Sequence, residues 1–115
     1  MLSKTGLKKL KNIRSWVQGA EEGHIFEMVS PSQCVIGQYT EYTNGDSRSL
    51  RHHFPNDADA YVVRDLFAYD SLAWSARNPP PMYKDEVTRE QWLAECDKLI
   101  ESIKQYEATN ETSSL

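Results

Sequence analysis

The stretch CVIGQYTEYTNGDSRSLRHHF, residues 34–54, contains the strongest hairpin signal of the chain. Cys34–Thr43 is rich in β-branched and aromatic side chains, which is typical of a strand. Asn44-Gly45 follows, and this dipeptide favours the type I′ turn of a β-hairpin because both central positions need a positive φ. Ser47–Phe54 would then return as the partner strand. The stretch therefore predicts a β-hairpin.

Cross-strand pairs support one register for this hairpin. A two-residue turn places Val35 opposite Phe54 and Tyr39 opposite Leu50, so that two apolar pairs share a face. It also places Glu41 opposite Arg48, which is an ion pair. A register with these pairs keeps the apolar side chains on the side of the sheet that faces the core.

Periodicity outside the hairpin predicts three helices. Apolar residues recur about every 3.6 positions over Ser3–Gln18, and again from Asn56 or Asp57 to about Ala76. The last helix begins at the capping box Thr88-Arg89-Glu90-Gln91 and runs to about Glu107. A short strand over His24–Val29 completes the set of elements.

The element order becomes α-β-β-β-α-α. This order predicts an α+β fold, with a three-stranded antiparallel sheet and helices packed on one face. A chain of 115 residues suits one domain, which we place at residues 1–107. Residues 108–115, ATNETSSL, are polar, and we expect them to form a flexible tail.

This predicted order resembles that of three kinds of small protein. Its first five elements are similar in order to double-stranded-RNA-binding domains and to some small toxin nucleases. The whole order resembles certain small acidic anti-CRISPR inhibitors encoded by phages. Double-stranded-RNA-binding domains carry a basic cluster at the start of the second helix, whereas this chain has Asn56-Asp57-Ala58-Asp59, which would repel phosphate. The resemblance is one of order alone and assigns no family.

Charge is sorted along the chain. Residues 1–20 hold five Lys or Arg and no acid, whereas the other 95 residues hold all 17 acids and eight Lys or Arg. An acidic surface can steer a protein towards a basic partner. We therefore expect a small binding protein that acts by protein–protein contact, for instance a phage- or mobile-element-type inhibitor of a nucleic-acid-binding host protein. Its contact residues would be Asp85, Glu86, Glu90, Glu95, Asp97 and Glu101.

The basic head supports an alternative function, nucleic-acid binding. Lys4, Lys8 and Lys11 share the outer face of the first helix, and they would contact phosphate together with Arg51 and His53 on the sheet face. The ordinary interpretation is the solvated face of an amphipathic helix. The negative total charge favours that interpretation, because nucleic-acid-binding domains tend to be basic.

A histidine pair supports a third hypothesis, a small hydrolase or nuclease. His52 or His53 could act with a carboxylate of Asp57 or Asp59 as an acid–base pair. Strand alternation would point the two rings to opposite faces, so a site that uses both is geometrically poor. The sequence contains no Gly-rich phosphate loop, metal-ligand spacing or nucleophile motif. We therefore expect no enzymatic activity, no cofactor and no metal.

Several single features have both a structural and a functional interpretation. Asp70 falls within an apolar helix arc, where it is either a functional acid or the cap of a new turn. Pro80-Pro81-Met82-Tyr83 resembles a WW-domain ligand, and Ser113-x-Leu115 resembles a PDZ-domain ligand, although both patterns arise by chance. Cys96 lies in an apolar stripe and Cys34 in a strand that no helix follows, so neither is expected to be reactive.

The expected cellular location is inferred from the lengths of the apolar stretches. No apolar stretch is long enough to span a bilayer, and none follows the basic head as a secretory signal would require. We therefore expect a cytoplasmic protein without membrane contact. The sheet edges could support a homodimer.

Overall fold

The computed structural model describes residues 2–28, 33–44, 50–67 and 86–113. The chain is mixed helix and strand, mostly helical, and forms one globule with a radius of gyration of 14.2 Å. The elements are α1 (Lys4–Gln18), β1 (Ile25–Glu27), α2 (Val35–Asn44), α3 (Leu50–His53), α4 (Asp57–Val63), β2 (Glu86–Thr88) and α5 (Arg89–Ser113). A 3₁₀ turn, Arg64–Leu66, continues α4.

Helix α1 confirms the helix predicted over Ser3–Gln18. The hydroxyl of Ser3 caps it by accepting the amide N–H of Gly6 at 2.9 Å. Its buried stripe consists of Gly6, Leu10, Ile13 and Val17. The helix ends at Gly19, whose N–H donates to the carbonyl of Ser15 at 3.1 Å.

The predicted hairpin is wrong, because residues 35–44 and 50–53 are helical. Helix α2 covers the first predicted strand, and α3 covers the end of the second. The pairs Val35–Phe54 and Tyr39–Leu50 therefore do not form a ladder. Asn44 ends α2, whereas Gly45 and Arg48 lie outside the described residues.

Burial along α2 shows why the helix forms. Val35, Ile36, Tyr39 and Thr40 are at most 6% exposed, and their spacing is that of one helical face. The Thr40 hydroxyl donates to the Ile36 carbonyl at 2.6 Å, and the Thr43 hydroxyl donates to the Tyr39 carbonyl at 3.0 Å. Strand propensity reflects packing on a pleated surface, and here the packing surface is that of a helix.

The sheet differs from the prediction in strand number and in order. Within the described residues it has two antiparallel strands, β1 and β2, rather than three. Ile25 pairs with Thr88, Phe26 with Val87, and Glu27 with Glu86. The predicted strand His24–Val29 is confirmed only as Ile25–Glu27, and the order is α1-β1-α2-α3-α4-β2-α5.

Helix α5 closes the core. The predicted capping box is confirmed: the Thr88 N–H donates to Gln91 Oε1 at 2.9 Å, and the Gln91 N–H donates to Thr88 Oγ1 at 3.2 Å. The fully buried indole of Trp92 donates to the Leu66 carbonyl at 2.9 Å. The helical backbone continues past Glu107 to Ser113, and the flexibility of residues 108–115 stays a prediction.

The predicted middle helix is confirmed only over its first half, as α4 and its 3₁₀ turn. Asn56 caps α4, because its side-chain oxygen accepts the N–H of Ala58 at 2.8 Å. Asp70, the Pro80–Tyr83 motif and Leu115 lie outside the described residues. Their predicted roles stay predictions.

Candidate functional site

The predicted acidic residues occupy more than one side of the molecule. Glu90, Asp97 and Glu101 are exposed on α5, and their spacing places them within about 40° of one another around the helix. Glu95 lies half-buried on a different side of α5, and its Oε1 accepts a hydrogen bond from Lys98 Nζ at 3.1 Å. Glu86 is exposed on β2, and Asp85 lies outside the described residues. The six residues therefore do not form one patch.

The structure adds Glu27 to the exposed acidic residues. Glu27 and Glu86 are directly opposite each other in the strand register, and both are exposed. Like charges at opposite positions destabilise a strand pair. The sequence prediction missed Glu27 because β2 was not anticipated. The alternation of polar and apolar residues in Glu86-Val87-Thr88, directly before the capping box, was the sequence signal that could have revealed β2.

Asp97 belongs to a bidentate ion pair with Arg14 of α1. The guanidinium Nε lies 2.6 Å from Oδ1, and Nη2 lies 3.2 Å from Oδ2. Hydrogen bonding to Arg14 lowers the pKa of Asp97, and the same bond raises the pKa of Arg14. This ion pair therefore joins the basic helix α1 to α5.

Glu90 holds the turn between α1 and β1. Its Oε1 accepts the N–H of Gly23 at 2.9 Å, and its Oε2 lies 2.6 Å from Arg89 Nη1. The hydrogen bond from Arg89 lowers the pKa of Glu90. Gly23 has φ +78°, a backbone conformation that favours glycine. Arg89 also donates to the Gln18 carbonyl at 2.6 Å, at the end of α1.

Three exposed acidic residues do not hold the fold together in the way that Asp97 and Glu90 do. Within the described part of the chain, Glu27, Glu86 and Glu101 take part in no ion pair. All three are exposed. They are the members whose charge remains available to a partner.

The basic residues are only partly arranged as predicted. Lys4, Lys8 and Lys11 are exposed on the outer face of α1. The predicted sheet-face position of Arg51 and His53 is wrong, because both residues lie on α3. Arg51 is exposed and forms an ion pair with Asp57. His53 is only 7% exposed and cannot contact phosphate directly.

His53 is a buried, neutral core residue. Its Nε2 lies 2.7 Å from the Thr40 hydroxyl, whose single proton is donated to the Ile36 carbonyl. The ring therefore donates from Nε2, an assignment that rests on the hydrogen-bond network. Burial, with smaller contributions from Lys9 and His52, lowers the pKa of His53 to about 4.

The structure does not assemble the histidine–carboxylate pair of the hydrolase hypothesis. The Asp59 carboxylate accepts the N–H of Ser3 at 2.8 Å and also the Ser3 hydroxyl proton. Asp57 is engaged by Arg51. His52 is exposed, with its ring centroid 4.9 Å from that of His53. Among the described residues, no group of three His, Cys, Asp or Glu side chains is placed to hold a metal ion.

The two cysteines are buried and unbridged. Cys96 lies in the core as predicted, and burial raises the pKa of its thiol to about 12. The prediction that no helix follows Cys34 is wrong, because helix α2 begins at the next residue. Cys34 Sγ accepts the Gly37 N–H at 3.4 Å. Its complete burial still keeps it from solvent.

An aromatic cleft lies where α1, β1 and α2 meet, and the sequence did not reveal it. Its volume is about 600 Å³, and its walls include Trp16, Phe26, Tyr42, His24 and Glu21. The ring centroids of Trp16 and Tyr42 are 6.0 Å apart, and those of Trp16 and Phe26 are 6.2 Å apart. The sequence predicts Tyr42 in a strand, so its approach to Trp16 could not be anticipated.

Comparison with known proteins adds no function to this geometry. No model of a protein family, no curated protein and no solved structure matches the chain. In the ranges that the structure describes, no helix has the length and apolar character needed to cross a membrane. The function is therefore inferred from the site itself.

Proposed function

We propose that this chain is a small non-enzymatic binding protein that acts by protein–protein contact with a basic partner. The observation that carries the proposal is the exposed pair Glu27 and Glu86, placed opposite each other by the strand register. Folding alone disfavours this arrangement, because like charges oppose each other across the two strands. A cationic group of a partner would remove that repulsion on binding.

The charge of the chain supports the same partner chemistry. Residues 21–115 hold 17 acids and eight Lys or Arg. A field of one sign accelerates encounter with a partner of the opposite sign and disfavours like-charged competitors. Glu101 on α5 extends the exposed negative charge beyond the sheet.

A phage- or mobile-element-type inhibitor is the concrete form of the proposal. An acidic surface competes with nucleic acid for the basic site of a nucleic-acid-binding host protein. Such an inhibitor would meet its target in the cytoplasm. A homodimer formed through an edge of the β1–β2 sheet is compatible with this role.

Nucleic-acid binding is the second candidate, and a specific observation favours it. Lys4, Lys8 and Lys11 are exposed on one helix face, and none of them joins an ion pair in the described residues. Binding through them would be strongest at low salt. Absence of binding to both DNA and RNA at about 50 mM salt removes this candidate.

A capture experiment tests the first candidate. The immobilised protein and its triple charge reversal E27K/E86K/E101K are exposed to the same host extract, and the retained proteins are identified by mass spectrometry. We expect basic nucleic-acid-binding proteins to be retained by the original chain and lost from the variant. The reversal K4E/K8E/K11E, on the opposite charge group, is the matched control and should retain them. An identical set on all three baits would contradict the proposal.

A further inference from the structure

The aromatic cleft has an open side and a closed floor. Phe26 is completely buried and forms the floor, whereas Tyr42 is 72% exposed and stands at the rim. Trp16, half-buried between them, is in edge contact with Tyr39 at a centroid distance of 5.5 Å. Two aromatic rings, those of Trp16 and Tyr42, can therefore be reached from solvent.

The remaining walls of the cleft are electron-rich. Ser15 lies in the last turn of α1, and Gly19 and Ala20 follow its end, where the helix dipole is negative. Glu21 lines the cleft and is exposed, and Glu22 beside it is exposed as well. A carboxylate, a helix C-terminus and aromatic faces all attract a cation.

The histidine in the cleft is fixed by its neighbours. His24 Nε2 lies 3.1 Å from Gln38 Oε1, and the Gln38 amide donates to the Gln33 carbonyl at 2.8 Å. The edge-on contact of His24 with Phe26, at a centroid distance of 4.8 Å, completes its packing. This wall is therefore already formed before a ligand binds.

The chain already places guanidinium groups in both kinds of surroundings. Arg89 donates to the Gln18 carbonyl at the same end of α1, at 2.6 Å. Elsewhere, the Arg64 guanidinium carbon lies 4.0 Å from the centre of the Tyr61 ring. A planar guanidinium can stack on an aromatic face and donate hydrogen bonds at its edge, which a lysine ammonium cannot do.

We propose that the aromatic cleft binds the guanidinium group of an arginine side chain on the basic partner. This inference rests on the proposed function, since it names the group that such a partner would insert. The guanidinium would stack on the solvent-accessible faces of Trp16 and Tyr42, whose rings already contact each other, and donate to the Glu21 carboxylate. A nucleotide is the less suitable occupant, because its phosphate would approach the carboxylates of Glu21 and Glu22.

Two peptides of equal charge test the inference. The probes are (Gly-Arg)₅ and (Gly-Lys)₅, titrated by calorimetry into the full chain at about 50 mM salt, with oligo(dT) as a third titrant. We expect the arginine peptide to bind about fivefold or more tightly than the lysine peptide. Tyr42→Ala and Glu21→Gln should each weaken the arginine peptide by about fivefold.

Matched controls separate the cleft from general attraction. Tyr61→Ala removes another exposed tyrosine, and Glu22→Gln removes the neighbouring charge outside the cleft. Both should leave the affinity within about twofold of the original. All four positions are exposed, so the variants should keep the fold, which far-UV circular dichroism checks.

Each remaining outcome overturns a defined statement. If both peptides bind equally and Tyr42→Ala has no effect, the cleft inference is wrong while the acidic surface remains supported. If neither peptide binds, the cleft inference is wrong. If oligo(dT) binds instead, the proposed function is wrong as well.

Discussion

The carboxylate of Asp59 on α4 accepts the amide N–H of Ser3 at 2.8 Å and the Ser3 hydroxyl proton, and so it caps the start of α1 from 56 residues away. Asp59 is only 4% exposed. A negative charge at a helix N-terminus is favoured by the helix dipole, and the two hydrogen bonds compensate its burial. The contact holds the start of α1 against α4.

Removing this carboxylate should destabilise the fold. In Asp59→Ala the Ser3 amide loses its buried acceptor, so we expect the free energy of unfolding to fall by about 2–4 kcal/mol. Urea denaturation measures the change. Asp57→Ala, an exposed acid two residues earlier on the same helix, should cost less than about 1 kcal/mol. Equal effects of the two substitutions would contradict the role assigned to Asp59.

Gly6 is required by the same contact. A Cβ at Gly6 would lie 2.6 Å from Asp59 Oδ2 and 2.8 Å from its Cγ. Alanine normally stabilises a helix by about 1 kcal/mol relative to glycine, but here Gly6→Ala should lower the melting temperature. The control is Gly19→Ala, whose Cβ would meet nothing nearer than 3.5 Å. A melting temperature for Gly6→Ala that matches or exceeds the original would refute the close approach.

His53 should make stability depend on pH. Its pKa is about 4 in the folded chain and near 6.5 when unfolded, so the unfolded state binds the extra proton between these values. The stabilisation is fully present above about pH 6.5 and is lost as the pH falls towards 4, a loss of roughly 3 kcal/mol at most. Denaturation at several pH values measures it.

His53→Gln provides the matching control, because the glutamine amide can donate to Thr40 without titrating in this range. Subtracting its pH profile from that of the original chain isolates the contribution of His53. If both chains lose the same stability between pH 7 and 4, His53 does not remain neutral in the fold.

The ion pair between Arg14 and Asp97 should contribute little to the free energy of unfolding despite its short contacts. Its side chains are 29% and 53% exposed, and exposed ion pairs contribute about 0.2–1 kcal/mol. A double-mutant cycle with Arg14→Ala and Asp97→Ala measures the coupling energy. We expect the coupling to decrease in 1 M NaCl, and a coupling that is insensitive to salt would show that screening does not reach the pair.

Local signals in the sequence identified the two long helices. The apolar stripe predicted α1, and the reciprocal Thr88–Gln91 box predicted the start of α5. Both signals lie within the helix itself or its first turn, so no distant contact is needed to interpret them. The capping of Ser3 by Asp59 was invisible because it joins residues far apart in the chain.

The hairpin prediction failed because two patterns overlap in residues 34–44. β-branched and aromatic residues favour a strand, but Val35, Ile36, Tyr39 and Thr40 also have the spacing of a helical face. Side-chain hydrogen bonds from Thr40 and Thr43 to preceding carbonyls make these residues compatible with the helix. The charged residues of the site were identifiable, whereas Glu27 and the aromatic cleft depended on the true positions of β2 and α2.

The decisive measurement is the affinity of this chain for the basic protein that the capture experiment enriches most. Calorimetry compares the original chain, E27K/E86K/E101K and K4E/K8E/K11E in the same buffer. We expect that reversing the three acids weakens binding by about tenfold or more, while reversing the three lysines does not weaken it. Unchanged affinity for the acid reversal, with binding lost on the lysine reversal, would contradict the proposed function.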